Sequence, residues 1–301
     1  MKLAIVQVKP RKGEFEANLA ALGETFAQLA AEERPYDLIV LPEAALTGYF
    51  LEGAVYELAL SAEALAQRLG ETWRANAGAD RAPVDIVAGF YENAEGTYYN
   101  SALYLHVDGR AQHILHVHRK LFLPTYGVFD EERFLSRGRR VDAFETRFGK
   151  MSLLVCEDVW HAIVPTIAAL KGARALIVPS ASPARGLDGD GELESVRRWE
   201  ELLRAYASEH GVYIFYAGLA GFEGGKGMTG SSALIDPFGE TLGRLPALGA
   251  QILSAEVDFS EIDVARARLP LLGDLGAVLP DLLYDDELTP AYVRRLGEQP
   301  V

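Results

Sequence analysis

The chain has 301 residues, room for one large domain or two modest ones, and its 49% hydrophobic content is enough for a sizeable core. Lys+Arg 29 against Asp+Glu 43 leaves a net charge of −14, which disfavours partners with phosphate backbones and anionic membrane surfaces. A single cysteine, Cys156, excludes an internal disulfide and fits a reducing cytoplasm.

Strand and helix signals alternate along most of the chain. Residues 3–8 read as a first strand, too short and too broken by polar residues to be a signal peptide. Residues 14–33 read as a helix, with Leu19, Leu22, Phe26 and Leu29 on one face. Residues 37–41 form a short apolar run, the pattern of a buried strand. Residues 62–76 read as a helix, and 84–90, 98–107 and 111–118 as strands. Asp108-Gly109 marks a hairpin between the last two. Then follow a strand at 151–155, a helix at 163–170, a strand at 175–178 and a helix at 192–210 stopped by Gly211. Strands at 212–216, 231–235 and 251–257 finish the pattern, with a turn at Asp236-Pro-Phe-Gly239. No stretch reaches the roughly 20 apolar residues of a transmembrane helix. The expected organisation is one domain over 1–258. An extension over 259–301, rich in Leu, Pro and Asp, would pack on that domain or on a partner subunit.

Three strand ends carry residues that could do chemistry. Glu43 follows the buried strand 37–41 directly after Pro42. A carboxylate there is costly to bury unless paired; a helix-start acid is the competing reading. Lys120 follows the strand 111–118 and precedes a largely apolar run; a snorkelling surface lysine is the alternative. Cys156 ends the strand 151–155 and is followed at once by Glu157 and Asp158. A lone thiol in that place is either an inert buried cysteine or a nucleophile. An acid, a cation and a thiol together form a sensible hydrolytic set. The carboxylate takes and returns a proton, the thiolate attacks, and the ammonium holds a developing oxyanion.

Leu41-Pro42-Glu43 with Leu46-Thr47-Gly48-Tyr49, then Arg119-Lys120-Leu-Phe-Leu-Pro124, then Cys156-Glu157-Asp158-Val159-Trp160 resemble the nitrilase superfamily of carbon–nitrogen hydrolases. The resemblance covers roughly residues 1–257. It implies an α/β fold of the four-layer αββα sandwich type, assembled as a homodimer or a higher homo-oligomer. It implies Cys156 as nucleophile, Glu43 as general base and then acid, and an oxyanion hole from Lys120 and the backbone N–H of Glu157. A second glutamate is implied after the lysine, assigned by register to Glu131, with its neighbour Glu132 as the other possibility. The implied substrate is a small-molecule amide or carbamoyl compound, with no metal and no organic cofactor.

Some pieces are most similar to the glutamine amidase domain of glutamine-dependent NAD synthetases, namely residues 120–131, 156–160 and Ser180-Ala-Ser182-Pro183. That would make the chain a glutaminase subunit serving a separate synthetase, since 301 residues leave no room for a synthetase domain. Residues 221–230 are glycine-rich but are not a P-loop. Ala220 stands where its first glycine would be, and Gly227 follows Lys226 in place of Ser or Thr. The stretch 184–190 lacks the Gly-Lys element expected of glutamine-using members. Tyr49, Tyr126, Trp160, Ser180 and Ser182 are the candidate substrate-binding residues.

Two other sets stand in the sequence. His113, His116 and His118 suggest a metal site, but strand alternation puts His113 on the opposite face from the other two. A Cys156–His161 pair of the papain kind would sit on a single strand-to-helix turn. Outside the enzyme class, the alternative is a catalytically silent binding protein on the same fold.

Overall fold

The first strand divides its side chains between two interiors. In β1 (Lys2–Gln7), Leu3 and Ile5 enter one core while Ala4 and Val6 enter another. β2 (Leu38–Val40) does the same, with Leu38 and Val40 on one side and Ile39 on the other. A two-residue period with both faces apolar fits only a sheet covered on both sides. The computed structural model describes residues 1–78, 81–186 and 193–283.

The covering elements follow in order. After β1 come α1 (Phe15–Ala30), β2, α2 (Val55–Leu58) and α3 (Ala62–Ala77), whose N-terminus is capped by the Ser61 hydroxyl accepting from the Ala64 N–H. Then come β3 (Val84–Ala94), β4 (Thr97–Val107) and β5 (Gln112–Arg119). The second half holds β6 (Phe144–Thr146), β7 (Gly149–Leu153), α4 (Ile163–Leu170), β8 (Ala175–Ser180), α5 (Glu194–His210) and β9 (Tyr213–Gly218). It continues with β10 (Ala220–Glu223), β11 (Lys226–Thr229), β12 (Ala233–Ile235), β13 (Thr241–Arg244), β14 (Gln251–Glu256), α6 (Ser260–Arg268) and α7 (Leu271–Leu283).

Two six-stranded sheets result, ordered β14-β1-β2-β3-β4-β5 and β13-β12-β9-β8-β7-β6. Each has three parallel strands, β1-β2-β3 and β7-β8-β9, flanked by antiparallel ones. The sheets face each other through a shared core that includes Ile5, Val87 and Tyr104 from one and Met151, Leu153 and Ile177 from the other. Helices α1 and α3 cover the outer face of the first sheet, and α4 and α5 that of the second. The fold is the four-layer αββα sandwich.

The structure departs from the sequence reading in several places. The 231–257 region contains an extra strand, β13, which pairs with β12. The glycine-rich stretch is the hairpin β10–β11, turning at Gly224 and Gly225, both with positive φ. The extension is helical as far as it is described: α6 buries Ile262 in the same continuous core, and α7 lies against α4 and α5. Residues 284–301 lie outside the described part. The alternation expected for the three histidines also fails. β5 carries a bulge at Leu115, so Gln112 bonds Arg74 of α3, and Ile114 and Val117 pack toward α3 as well. His113 therefore turns to the same side as His116 and His118, exposed near the start of the strand.

Candidate active site

The apolar strand β2 delivers Glu43 to the C-terminal edge of its sheet, where open α/β sheets place their ligands. The next residue, Ala44, has φ +51°, so the chain turns sharply and the carboxylate stays inside. Gly89 of β3 permits this: a Cβ there would lie 2.4 Å from Glu43 Cα and 2.7 Å from the Pro42 carbonyl oxygen. Glu43 Oε2 accepts from the Ala181 N–H at 2.6 Å, just past β8. Its Oε1 accepts from Asn100 Nδ2 at 2.6 Å and Lys120 Nζ at 2.9 Å.

Lys120 is fully buried. Burial alone would lower its pKa, but Glu131 and Glu43 outweigh it and hold the ammonium charged, well above the ordinary range. Lys120 Nζ donates to Glu131 Oε1 at 2.8 Å. Glu131 also accepts from the Tyr49 hydroxyl and from Asn100 Nδ2 at 3.3 Å. Burial raises the Glu131 pKa. Of the two glutamates left open by register, the buried one is Glu131; Glu132 is exposed and paired with Arg137.

Cys156 opens a short 3₁₀ turn after β7, with φ +46°, an uncommon conformation for a residue with a Cβ. The Ser180 hydroxyl donates to Sγ at 3.3 Å. Burial first, and the Glu43 charge second, push the thiol pKa well up, so the resting group is a thiol. Asp158 fixes the turn: Oδ2 accepts from the Val155 N–H at 3.0 Å and lies 2.8 Å from His118 Nε2. Its Oδ1 accepts from the N–H groups of Leu121 and Phe122 at 2.8 and 3.2 Å. One carboxylate thus ties the cysteine turn to the segment carrying Lys120.

A cavity of about 340 Å³ opens onto Cys156 and is lined by Tyr126, Trp160 and Ser182, among others. The Tyr126 hydroxyl donates to the Glu157 carboxylate at 2.9 and 3.0 Å, and burial raises the Glu157 pKa. Trp160 stands edge-on to Trp199. Ser180 lies behind the thiol, fully buried. Tyr49 is drawn to Glu131 and borders a neighbouring cavity of about 310 Å³. His161 stacks on Phe122 and lies 3.9 Å from Glu157, away from a papain-like pairing with the thiol. His118 is committed to Asp158, and His116 stacks on Phe144. Among the described residues, no three His, Cys, Asp or Glu side chains are grouped to hold a metal ion.

Sequence reasoning missed Asn100, which bridges the two glutamates, and the role of His118. The available signal for Asn100 was a polar pair, Asn100-Ser101, opening an otherwise apolar buried run in β4.

A family model described as carbon–nitrogen hydrolase matches residues 2–267. The chain belongs to the nitrilase superfamily of carbon–nitrogen hydrolases. This carbon–nitrogen hydrolase is 28% identical over 263 residues to a glutamine-dependent NAD(+) synthetase of Thermotoga maritima, covering 87% of this chain and 42% of that one. It spans about half the length of the NAD synthetases it matches. An omega-amidase of Saccharomyces cerevisiae is 26% identical over 284 residues, with 90% of this chain and 91% of that one covered. The crystal structure of a carbon–nitrogen hydrolase from Helicobacter pylori G27 superposes with a TM-score of 0.79 at 25% identity, over 95% and 99% of the two chains. No helix among the described residues of this carbon–nitrogen hydrolase is long and apolar enough to cross a membrane.

Proposed function

We propose that this chain hydrolyses a non-peptide carbon–nitrogen bond of a small amide through a thioester on Cys156. The observation that carries this reading is the fully buried Lys120 ammonium, bonded to both Glu43 and Glu131 beside a buried thiol. Glu43 takes the thiol proton as Sγ attacks the amide carbonyl. The tetrahedral oxyanion is held by Lys120 and the backbone N–H of Glu157. Collapse expels ammonia or amine, which leaves with the proton from Glu43. Water then attacks the thioester, Glu43 takes its proton, and the acid is released with the thiol restored. No metal or organic cofactor enters the sequence.

The cavity favours an amide that also carries a carboxylate. Arg185 lines it, with its guanidinium 5.9 Å from the Tyr126 ring and 5.1 Å from the Phe129 ring. Arg198, in the same cavity, is paired with Glu194 at 2.8 Å, whereas Arg185 has no carboxylate partner among the described residues. The test is ammonia release from ω-amido acids, glutamine, N-carbamoyl amines, simple amides and nitriles, with Cys156→Ala as blank. A Cys156-dependent product from the anionic amides supports the reading; a folded Cys156→Ala that still turns over sinks it.

A second reading is a glutaminase that hands ammonia to a synthetase, favoured by the likeness to part of the NAD synthetases. Full activity on glutamine without any partner counts against it. Ile163, Leu271, Val278 and Leu282 are exposed apolar residues on α4 and α7, in keeping with a homodimer across that side. A monomer in sedimentation at micromolar concentration would remove that element. The cytoplasm is the compartment that suits an unprotected nucleophilic thiol.

A further inference from the structure

A second cluster of cations lies outside the Cys156 cavity. In a chain of net charge −14, Arg119, Arg137, Arg139 and Arg140 line one cavity of about 320 Å³. It sits where the end of β5 meets the loop leading to β6. Two of these arginines are committed: Arg119 donates to Glu92 at 2.8 and 2.7 Å, and Arg137 pairs with Glu132. Asp142, the carboxylate lining this cavity, accepts from Lys171 at 3.2 Å. Arg139 and Arg140 are exposed and have no ion pair or side-chain hydrogen bond among the described residues.

The imidazole of His116 forms part of the cavity wall. His116 stacks flat on Phe144 with ring centroids 4.5 Å apart, and its Nε2 has no hydrogen-bond partner among the described residues. Burial holds this imidazole down at about 4, so at neutral pH it is uncharged and has one N–H to give. Two unpaired planar forks beside a neutral imidazole in the same wall match a compact acceptor with several oxygens.

We propose that this cavity binds a small, multiply charged oxyanion of the phosphate or polyphosphate class, held by Arg139, Arg140 and His116. An extended polyanion is disfavoured by the charge of the rest of the chain. The floor of the site is shared with the lysine segment. The Gly138 N–H donates to the Lys120 carbonyl at 2.8 Å, and a Cβ on Gly138 would lie 1.9 Å from the Arg119 carbonyl oxygen. An occupant therefore rests on the backbone that positions Lys120, separated from the Cys156 cavity. Binding there does not depend on the amide chemistry, because the Cys156→Ala protein retains the site.

The test is calorimetric titration of sodium pyrophosphate into the full chain at constant ionic strength, repeated with Arg139→Gln/Arg140→Gln and with His116→Phe. The expected result is saturable binding at one site per chain, weakened about tenfold or more in the double variant and several-fold in His116→Phe. Thermal midpoints without ligand should be unchanged for the double variant, since both side chains are exposed. Absence of saturable binding up to roughly 10 mM, a range in which binding is worth under about 3 kcal/mol, overturns the proposal. Equal affinity in the double variant overturns it too. So does a change in oligomeric state of the double variant without any pyrophosphate effect, which would assign these arginines to a subunit contact.

Discussion

His118 and Asp158 meet 2.8 Å apart, side chain to side chain, and in doing so join the two sheets. His118 belongs to β5 of one sheet, and Asp158 to the turn that follows β7 of the other. Four groups converge on that carboxylate, three of them backbone N–H groups. Asp158→Ala should cost about 3–5 kcal/mol of stability and remove most activity, because buried donors lose their acceptor. Asp158→Asn, which keeps the shape, should be milder on stability yet still lower kcat. Denaturant unfolding and initial rates check both. An Asp158→Ala protein as stable and active as the parent would show that the bridge is incidental.

The buried Glu43–Lys120–Glu131 group predicts an unusual pH response. Lys120→Met leaves two carboxylates facing each other without their cation, so one of them must hold a proton. Its pKa in the folded protein then lies above the unfolded value. The stability associated with it is complete at low pH and is lost as pH rises through the folded value. The variant should be inactive, weakened by about 3–5 kcal/mol at pH 7, and partly recovered near pH ~5. Thermal midpoints across that range decide the matter. Glu131→Gln keeps the Lys120–Glu43 contact and should fold well, with kcat down about 10–100-fold.

His116 responds in the opposite sense. Its pKa falls from the ordinary 6.5 to about 4 through burial and the neighbouring His118. Between those values the unfolded chain binds more protons than the folded one, so stability drops as pH falls from 6.5 to 4. The loss is on the order of 1–3 kcal/mol once partial solvent screening of the ring is allowed for. His116→Gln should flatten that part of the stability profile. His210, also lowered by burial, contributes a slope of the same sign that the variant leaves in place.

Gly89 admits no side chain. Gly89→Ala would drive a Cβ to 2.4 Å from Glu43 Cα, so the backbone carrying the carboxylate must move. The expected cost is about 1–3 kcal/mol of stability, with a larger proportional loss of kcat. Gly53→Ala, which meets nothing within 4 Å, is the matched control. If Gly89→Ala retains full kcat, the placement of Glu43 tolerates more movement than its packing implies.

The parts of the fold legible in the sequence are those where a residue's neighbours in the chain decide its fate. Residues 3–8, 62–76, 163–170 and 175–178 carry their periodicity in themselves, and each was matched by β1, α3, α4 or β8 within a few residues. The stop at Gly211 was legible for the same reason: it adopts the left-handed φ of +56° that ends α5. β6, at three residues, is too short to show a period, α6 has only Ile262 and Ala265 buried, too few to mark a face, and α7 was hidden by a Leu-rich composition with Pro280 inside the helix. The β10–β11 hairpin looked only glycine-rich. Its Glu223 turns back across 174 residues of chain to accept from the Tyr49 N–H, a contact no local pattern announces. In the site, Glu43, Lys120 and Cys156 stood out because each is the wrong kind of residue to follow an apolar strand. Asn100 did not stand out, because its partner Glu43 is 57 residues away. The bulge at Leu115 that reorients His113 likewise left no trace in composition.

The division of the site between two sheets also sets a timetable for each newly made molecule. Glu43 is synthesised long before Cys156, and Ala181, whose N–H steadies Glu43, comes later still. A chain still being translated can hold β1 to β5 and yet lack Cys156, and the first sheet closes only when β14, made after every strand of the second sheet, pairs with β1.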